Sequence, residues 1–186
     1  MKPRFLLKKR TTAKLKVNQG DIYSSITFFR NIEIVSGRLD YNAVEFANIL
    51  VLSQTCDLTR ESEESGSILS VLVVPMFPLE EYLQGTHLSK LGIAENPSSK
   101  KLIDKYKNKE HNRYRVLEFS QEDKIKYYLE DSFIIDFRYF FTVDIKQFKR
   151  KNYKASLNEL FREEITSSFS DYLSRIGLPD IKRITK

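Results

Sequence analysis

Ser53-Gln54-Thr55-Cys56-Asp57 sets a hydroxyl, an amide, a second hydroxyl, a thiol and a carboxylate in succession, at the end of the apolar run Ala47–Ser53. A continuous run of that kind reads as a strand buried on both faces. Its exit is where the backbone leaves a sheet and side chains can project into a cleft. Ser53, Gln54, Thr55, Cys56 and Asp57 are therefore the first candidate binding loop. Cysteine chemistry would need a base or a positive setting for the thiol. The only histidines, His87 and His111, fall in no recognisable partner motif, and Asp57 has the wrong sign to favour a thiolate. Cys56 is expected to be a small buried apolar residue, with Asp57 capping a turn. A cysteine-dependent hydrolase at Cys56 ranks last among the readings.

A second candidate is Asp136, two residues before Arg138 in an aromatic stretch that runs on to Asp144. In a half-buried strand, Asp136, Arg138, Phe140 and Thr142 would share a face. Such a pair can serve a phosphate site, because a guanidinium offers a bidentate fork. The plainer alternative is an edge-strand ion pair. If the protein is a nuclease, Arg138 would be its phosphate clamp and Asp21 or Asp57 its base.

Charge supplies the third set of candidates. Lysine and arginine number 31 against 25 acidic residues, a net +6, and residues 1–19 carry seven cations and no carboxylate. Lys8, Lys9 and Arg10 are the densest part of that arm, and Lys149, Arg150 and Lys151 form a second acid-free cluster with Lys146 and Lys154 nearby. Clustered cations favour polyanions, since each neutralised phosphate releases condensed counterions. The partner is expected to be nucleic acid, RNA or DNA, or else an acidic protein.

The elements that must position these groups fit one domain over 186 residues. Asn18–Asp21 reads as a turn. Ile22–Phe29, Ile32–Val35, Ala47–Ser53 and Ile68–Pro75 read as strands, with Ser36–Asp40 as punctuation and Phe77-Pro78 as a stop. Leu79–Leu83 and Lys100–Lys109 suit short helices, while Gly85–Ser99 looks least structured. Arg113–Phe119 and Ser132–Ile145 return to strand character. Ser156-Leu157-Asn158-Glu159 fits a capping box, with Ser156 as N-cap of a helix over 156–176. Apolar residues recur along it at a 3.6-residue period, and Gly177 and Pro179 close it. Barrel strands are thus expected within 18–78 and 113–145, with an insertion at 79–112. No stretch is long and apolar enough for a transmembrane helix or a secretory signal. One cysteine and two histidines leave no metal site of the usual kind. The expectation is a cytoplasmic protein without cofactor, free of the membrane and able to form oligomers.

Gly20-Asp21-Ile22-Tyr23, Ile49-Leu50-Val51-Leu52-Ser53 and Leu72-Val73-Val74-Pro75 follow one another in the order found in the MazF/PemK toxin family, which this stretch resembles. The resemblance covers roughly residues 18–78. It implies an α+β protein built on an SH3-like twisted β-barrel, here with a helical insertion and a long C-terminal helix. Toxins of the family cleave single-stranded RNA with an arginine of the second motif and a Ser/Thr after the third. Ala47-Asn48 and Met76-Phe77 occupy those places here. The resemblance therefore implies a non-catalytic binding protein in a toxin–antitoxin or phage-defence setting. The alternative is a metal-independent endoribonuclease with relocated catalytic groups. Leu52–Leu58 and Arg175–Pro179 also resemble strings in uncharacterised bacterial and phage-associated proteins, which imply no mechanism.

Overall fold

The computed structural model describes residues 7–8, 16–58, 70–94, 112–130 and 132–175. Ten strands and four α-helices are found among them, with a further helical turn at 55–58. The strands are β1 (Leu7–Lys8), β2 (Asp21–Tyr23), β3 (Ile26–Val35), β4 (Arg38–Phe46), β5 (Ile49–Val51), β6 (Val71–Pro78), β7 (Tyr114–Glu118), β8 (Ser132–Asp136), β9 (Phe141–Val143) and β10 (Tyr153–Leu157). The helices are α1 (Leu79–Gln84), α2 (Thr86–Lys90), α3 (Gln121–Tyr127) and α4 (Glu159–Ser174). Among the described residues no helix is long and apolar enough to cross a membrane.

Alternation along the strands builds the core. In β5, Leu50 packs with Ile22, Val74, Met76, Phe133 and Ile135 on one face, while Ile49 and Val51 pack with Tyr23, Val73, Phe77 and Ile134 on the other. Side chains of a strand point alternately to either face, so a sheet covered on both sides requires apolar residues at every position. That explains the uninterrupted runs in β5 and β6. The sheet is antiparallel and eight-stranded, ordered β1-β10-β2-β5-β6-β8-β7, with β9 added on β6. It curls into a half-barrel. The α+β class holds, and the C-terminal helix α4 covers one face through Ile165 and Phe169.

β6 carries the bend. Its first half pairs with β5 and β9, and from Met76 onward it pairs with β8. Pro75 sits opposite Ile49 at the change of partner, where a missing N–H disturbs the ladder least. The strand runs through Pro78 rather than stopping at Phe77, because Pro78 lies at its far end opposite Phe133.

β3 and β4 form a separate two-stranded ribbon. Its turn is Ser36-Gly37, both with positive φ (51° and 76°), as a two-residue hairpin of right-handed twist requires. The turn is thus only two residues long, and the expected punctuation over 36–40 is mostly strand. Ile26 and Phe46 root the ribbon in the core, while Ile32, Ile34, Leu39 and Tyr41 stand exposed.

Three further expectations are corrected. Gly85–Ser99 is not loose at its start. Gly85 is a left-handed cap (φ 80°) joining α1 to α2, and His87 and Leu91 are buried. Ser132–Ile145 breaks after Asp136 into a 3-10 turn over Phe137–Tyr139 before β9. Ser156 is not the cap of the last helix. It is buried in β10, paired with Asp21 and Lys8, and Asn158 takes over as N-cap by accepting the Phe161 N–H at 3.2 Å. The expected helix over Lys100–Lys109 and the closing Gly177 and Pro179 lie outside the described residues.

Candidate functional site

Asp136 ends β8, and its carboxylate turns back on the chain that follows. Oδ1 accepts the Arg138 backbone N–H at 3.1 Å, capping the 3-10 turn. A short polar side chain bonding a backbone two residues on fixes the turn locally. The same carboxylate accepts Arg138 Nε at 3.1–3.2 Å and Nη2 at 2.7 Å. Arg113, just before β7, reaches it with Nε at 3.1 Å and Nη2 at 3.3 Å. It is brought there by the β7–β8 ladder, in which Tyr114 faces Asp136. Tyr82 of α1 completes the set, donating its hydroxyl to Oδ2 at 2.8 Å.

The electrostatics follow from these contacts. Asp136 is fully buried, whereas the Arg113 and Arg138 side chains are 34% and 43% exposed. Burial alone would raise the Asp136 carboxyl, but hydrogen bonds from Arg138 and Arg113 overcome it and hold the group below the ordinary carboxylate value. Burial and then the adjoining carboxylate push the Tyr82 hydroxyl far up, so it stays protonated and donates. Both guanidinium groups lie over aromatic rings, Arg113 at 4.5 Å from Tyr114 and Arg138 at 5.2 Å from Tyr139.

His87 stands behind this cluster. Its ring stacks on Tyr82 at 4.2 Å with planes 19° apart, and it also packs on Phe77 at 5.0 Å. Burial lowers its proton affinity, against a hydrogen bond to the Glu81 backbone that raises it. Nδ1 has no hydrogen-bond partner among the described residues.

Arg138 also opens onto a cleft of about 210 Å³, together with Tyr139, Phe140, Phe141, Phe28 and Arg30. Phe46 also lines it and stacks on Phe141 at 5.1 Å, and Phe28 tilts against the same ring at 4.7 Å. Arg30 donates through Nη1 to the Leu91 carbonyl. The cleft is smaller than the roughly 300–1,000 Å³ of sites that enclose a drug-sized ligand, which suits one planar ring system. It joins stacking surface to two fixed cations.

The residues singled out in the sequence fall in four places. Asp136 and Arg138 meet, though through a turn rather than strand alternation. Asp21 is fully buried at the β2–β10 seam, accepting Ser156 Oγ at 2.5 Å and the Asn18 N–H at 2.8 Å. The loop 53–57 lies beside that seam. Thr55 accepts the Gln19 N–H at 3.2 Å, and Ser53 accepts the Leu72 N–H at 2.8 Å. Residues 55–58 make one helical turn, and it is Leu58 that enters the core. Cys56 is exposed, which overturns the buried-residue expectation. The turn aims Leu58 inward and leaves Gln54, Cys56 and Asp57 facing outward. Arg138 finds its partners in Asp136 and Tyr139, in a network separate from those of Asp21 and Asp57.

Lys8 sits on the edge strand β1, 3.7 Å from Glu159, and Lys9 and Arg10 lie outside the described residues. Lys149, Arg150 and Lys151 are exposed around the 3-10 turn before β10. With Lys146, Lys149 and Lys151 border a shallow surface that reaches Thr27, the residue before Phe28. Sequence reasoning missed Arg113, Tyr82, His87 and Arg30. The Arg113-Tyr114-Arg115 triplet before an apolar strand was the one local signal for the first of them.

No protein-family model matches this chain, and no curated protein matches it.

Proposed function

We propose that the protein binds single-stranded nucleic acid without cleaving it, on an SH3-like barrel related to the MazF/PemK fold. The observation that carries this reading is the cleft in which Arg30 and Arg138 flank Phe28, Phe46, Tyr139, Phe140 and Phe141. Every base has a π-face, so aromatic stacking beside a cationic track suits single strands of varied sequence. The exposed Lys149, Arg150 and Lys151 extend the positive surface. The curled antiparallel sheet is compatible with a small barrel. The absence of Arg-Pro and Ser/Thr at the family's catalytic places supports binding over cleavage, and the toxin–antitoxin or phage-defence setting rests on the resemblance alone.

Fluorescence anisotropy with a short single-stranded oligonucleotide and its duplex tests the reading. Phe140 is the most exposed ring of the cleft, and stacking is worth about 1–3 kcal/mol per base. Phe140→Ala should therefore weaken single-strand binding about tenfold. Equal affinity of wild type and variant, or stronger binding of the duplex, would overturn it. RNA recovered intact on a denaturing gel excludes the ribonuclease alternative.

A second reading, a partner protein, is favoured by the β3–β4 ribbon. Ile32, Ile34, Leu39 and Tyr41 are each more than half exposed. Ile34 faces Leu39 across the ladder, and the alternation along each strand puts the four on one side. Exposed apolar patches of this kind mark interaction surfaces. Ile34→Lys with Leu39→Lys should leave the fold intact and abolish capture of such a partner.

A further inference from the structure

The Asp136 cluster holds two cations on one anion. Arg113 and Arg138 remain charged at any pH of interest, so the group carries a net positive charge with its carboxylate out of solvent. Both carboxylate oxygens are taken. Oδ1 accepts from Arg113 and from the Arg138 backbone and side chain, and Oδ2 accepts from Tyr82, Arg113 and Arg138. Each arginine gives Nε and Nη2 to this contact. Neither Nη1 has a partner among the described residues.

Two forks with spare donors therefore stand at a solvent boundary, already fixed in place. Locking by Asp136 and support from the Tyr114 and Tyr139 rings reduce the rotamer freedom that binding would otherwise cost. A phosphate monoester carries about −1.5 to −2 charges and three terminal oxygens. An internal phosphodiester offers two free oxygens and a single charge, so paired forks suit the monoester better. Arg138 and Tyr139 also line the aromatic cleft, which puts a ring seat next to the anion seat.

We infer that Arg113 and Arg138 together seat the terminal phosphate of a single-stranded nucleic acid whose end base occupies the cleft. The inference rests on the nucleic-acid reading above and adds the group by which the strand end is recognised. Arg113 supplies half of the phosphate seat and stays out of the base cleft.

Isothermal titration of the full chain with oligothymidylates of about ten nucleotides tests this. One carries a 5′-phosphate, one a 3′-phosphate, and one hydroxyls at both ends. One phosphorylated strand should bind about tenfold more tightly than the hydroxyl-ended strand, as charge-assisted bonds to a preformed fork allow. Arg113→Gln should erase that preference and leave hydroxyl-ended affinity unchanged. Arg113→Lys, which keeps the charge and loses the fork, should lose most of the preference and guards against a misfolded first variant. A hydroxyl-ended strand one nucleotide longer controls for charge alone. If it gains as much as the phosphorylated strand, or if all ends bind alike, the terminal-phosphate seat is wrong while the nucleic-acid reading stands. Binding of no strand at all would overturn both.

Discussion

Tyr82 and His87 lie almost parallel, ring centroids 4.2 Å apart and planes 19° from one another. The left-handed Gly85 between α1 and α2 lets the two rings meet within five residues of chain. Tyr82 donates its hydroxyl hydrogen bond to Asp136, so the imidazole is packed against one end of the ion cluster.

The burial of His87 makes stability pH-dependent. Burial lowers the affinity of the His87 ring for a proton in the fold below its ordinary value of 6.5, which the unfolded chain retains. The unfolded state therefore takes up the proton first as pH falls. Stability should be full above about pH 7 and decline as pH drops through the unfolded value toward the lowered folded one. His87→Gln should shrink the difference between urea midpoints at about pH 7.5 and about pH 5. A difference as large as in wild type would show that other groups carry it.

Asp136 gives the opposite end of the scale. Its folded carboxyl lies below the ordinary 3.8, so its contribution is present above that value and is lost as pH falls below it. Asp136→Asn leaves Arg113 and Arg138 side by side without their counter-charge and weakens the acceptor for Tyr82. Removing one partner of a buried pair costs about 3–5 kcal/mol. Both arginines are more than a third exposed, so solvent relieves them and a loss near the low end, about 3 kcal/mol, is expected in equilibrium unfolding. Arg138→Ala should cost less, because Arg113 continues to satisfy the carboxylate.

Two neighbours at the β10–α4 junction should behave differently. Asn158→Ala removes the helix cap and should cost about 1 kcal/mol, with Asn158→Asp close to neutral. Ser156→Ala leaves the buried Asp21 without its 2.5 Å donor. A buried group stripped of a partner costs about 1–3 kcal/mol, and Ser156→Asp should worsen the loss by placing a second carboxylate there. A capping role for Ser156 would give the reverse ordering, with Ser156→Asp tolerated and Asn158→Ala silent.

How much of this was legible depends on whether local pattern or long-range pairing decided it. β5 and β6 were readable because both of their faces are buried, which makes apolar residues continuous. Asp136 and Arg138 were readable because they act two residues apart, although a capped turn rather than strand alternation joins them. Arg113 and Tyr82 reach Asp136 only through the β7–β8 ladder and through α1, and no local periodicity reports such a meeting. β4 was lost because Leu39 and Tyr41 alternate with polar residues close behind Ser36-Gly37, and the turn signal masked the strand. Cys56 was misplaced because the chain leaves β5 in a helical turn whose buried residue is Leu58, not the thiol two residues earlier.

The basic surface before β10 can be separated from the aromatic cleft by its response to salt. Lys149, Arg150 and Lys151 are exposed on the 3-10 turn before β10, and the lysines border the surface that reaches Thr27. Neutralising exposed cations leaves packing untouched, so the triple variant Lys149→Gln, Arg150→Gln, Lys151→Gln should unfold within about 0.5 kcal/mol of wild type. If these groups meet backbone phosphates, each contact releases counterions, and each lost contact lowers the slope of log affinity against log salt by about 0.7 for single strands. The triple variant should thus lose up to about 2 units of slope and weaken binding to all sequences alike. Phe140→Ala should do the reverse, lowering affinity at constant slope, since stacking exchanges no counterions. Titrations over a range of salt separate the two effects. An unchanged slope in the triple variant would remove this surface from the interface and leave the internal phosphate contacts to Arg30 and Arg138.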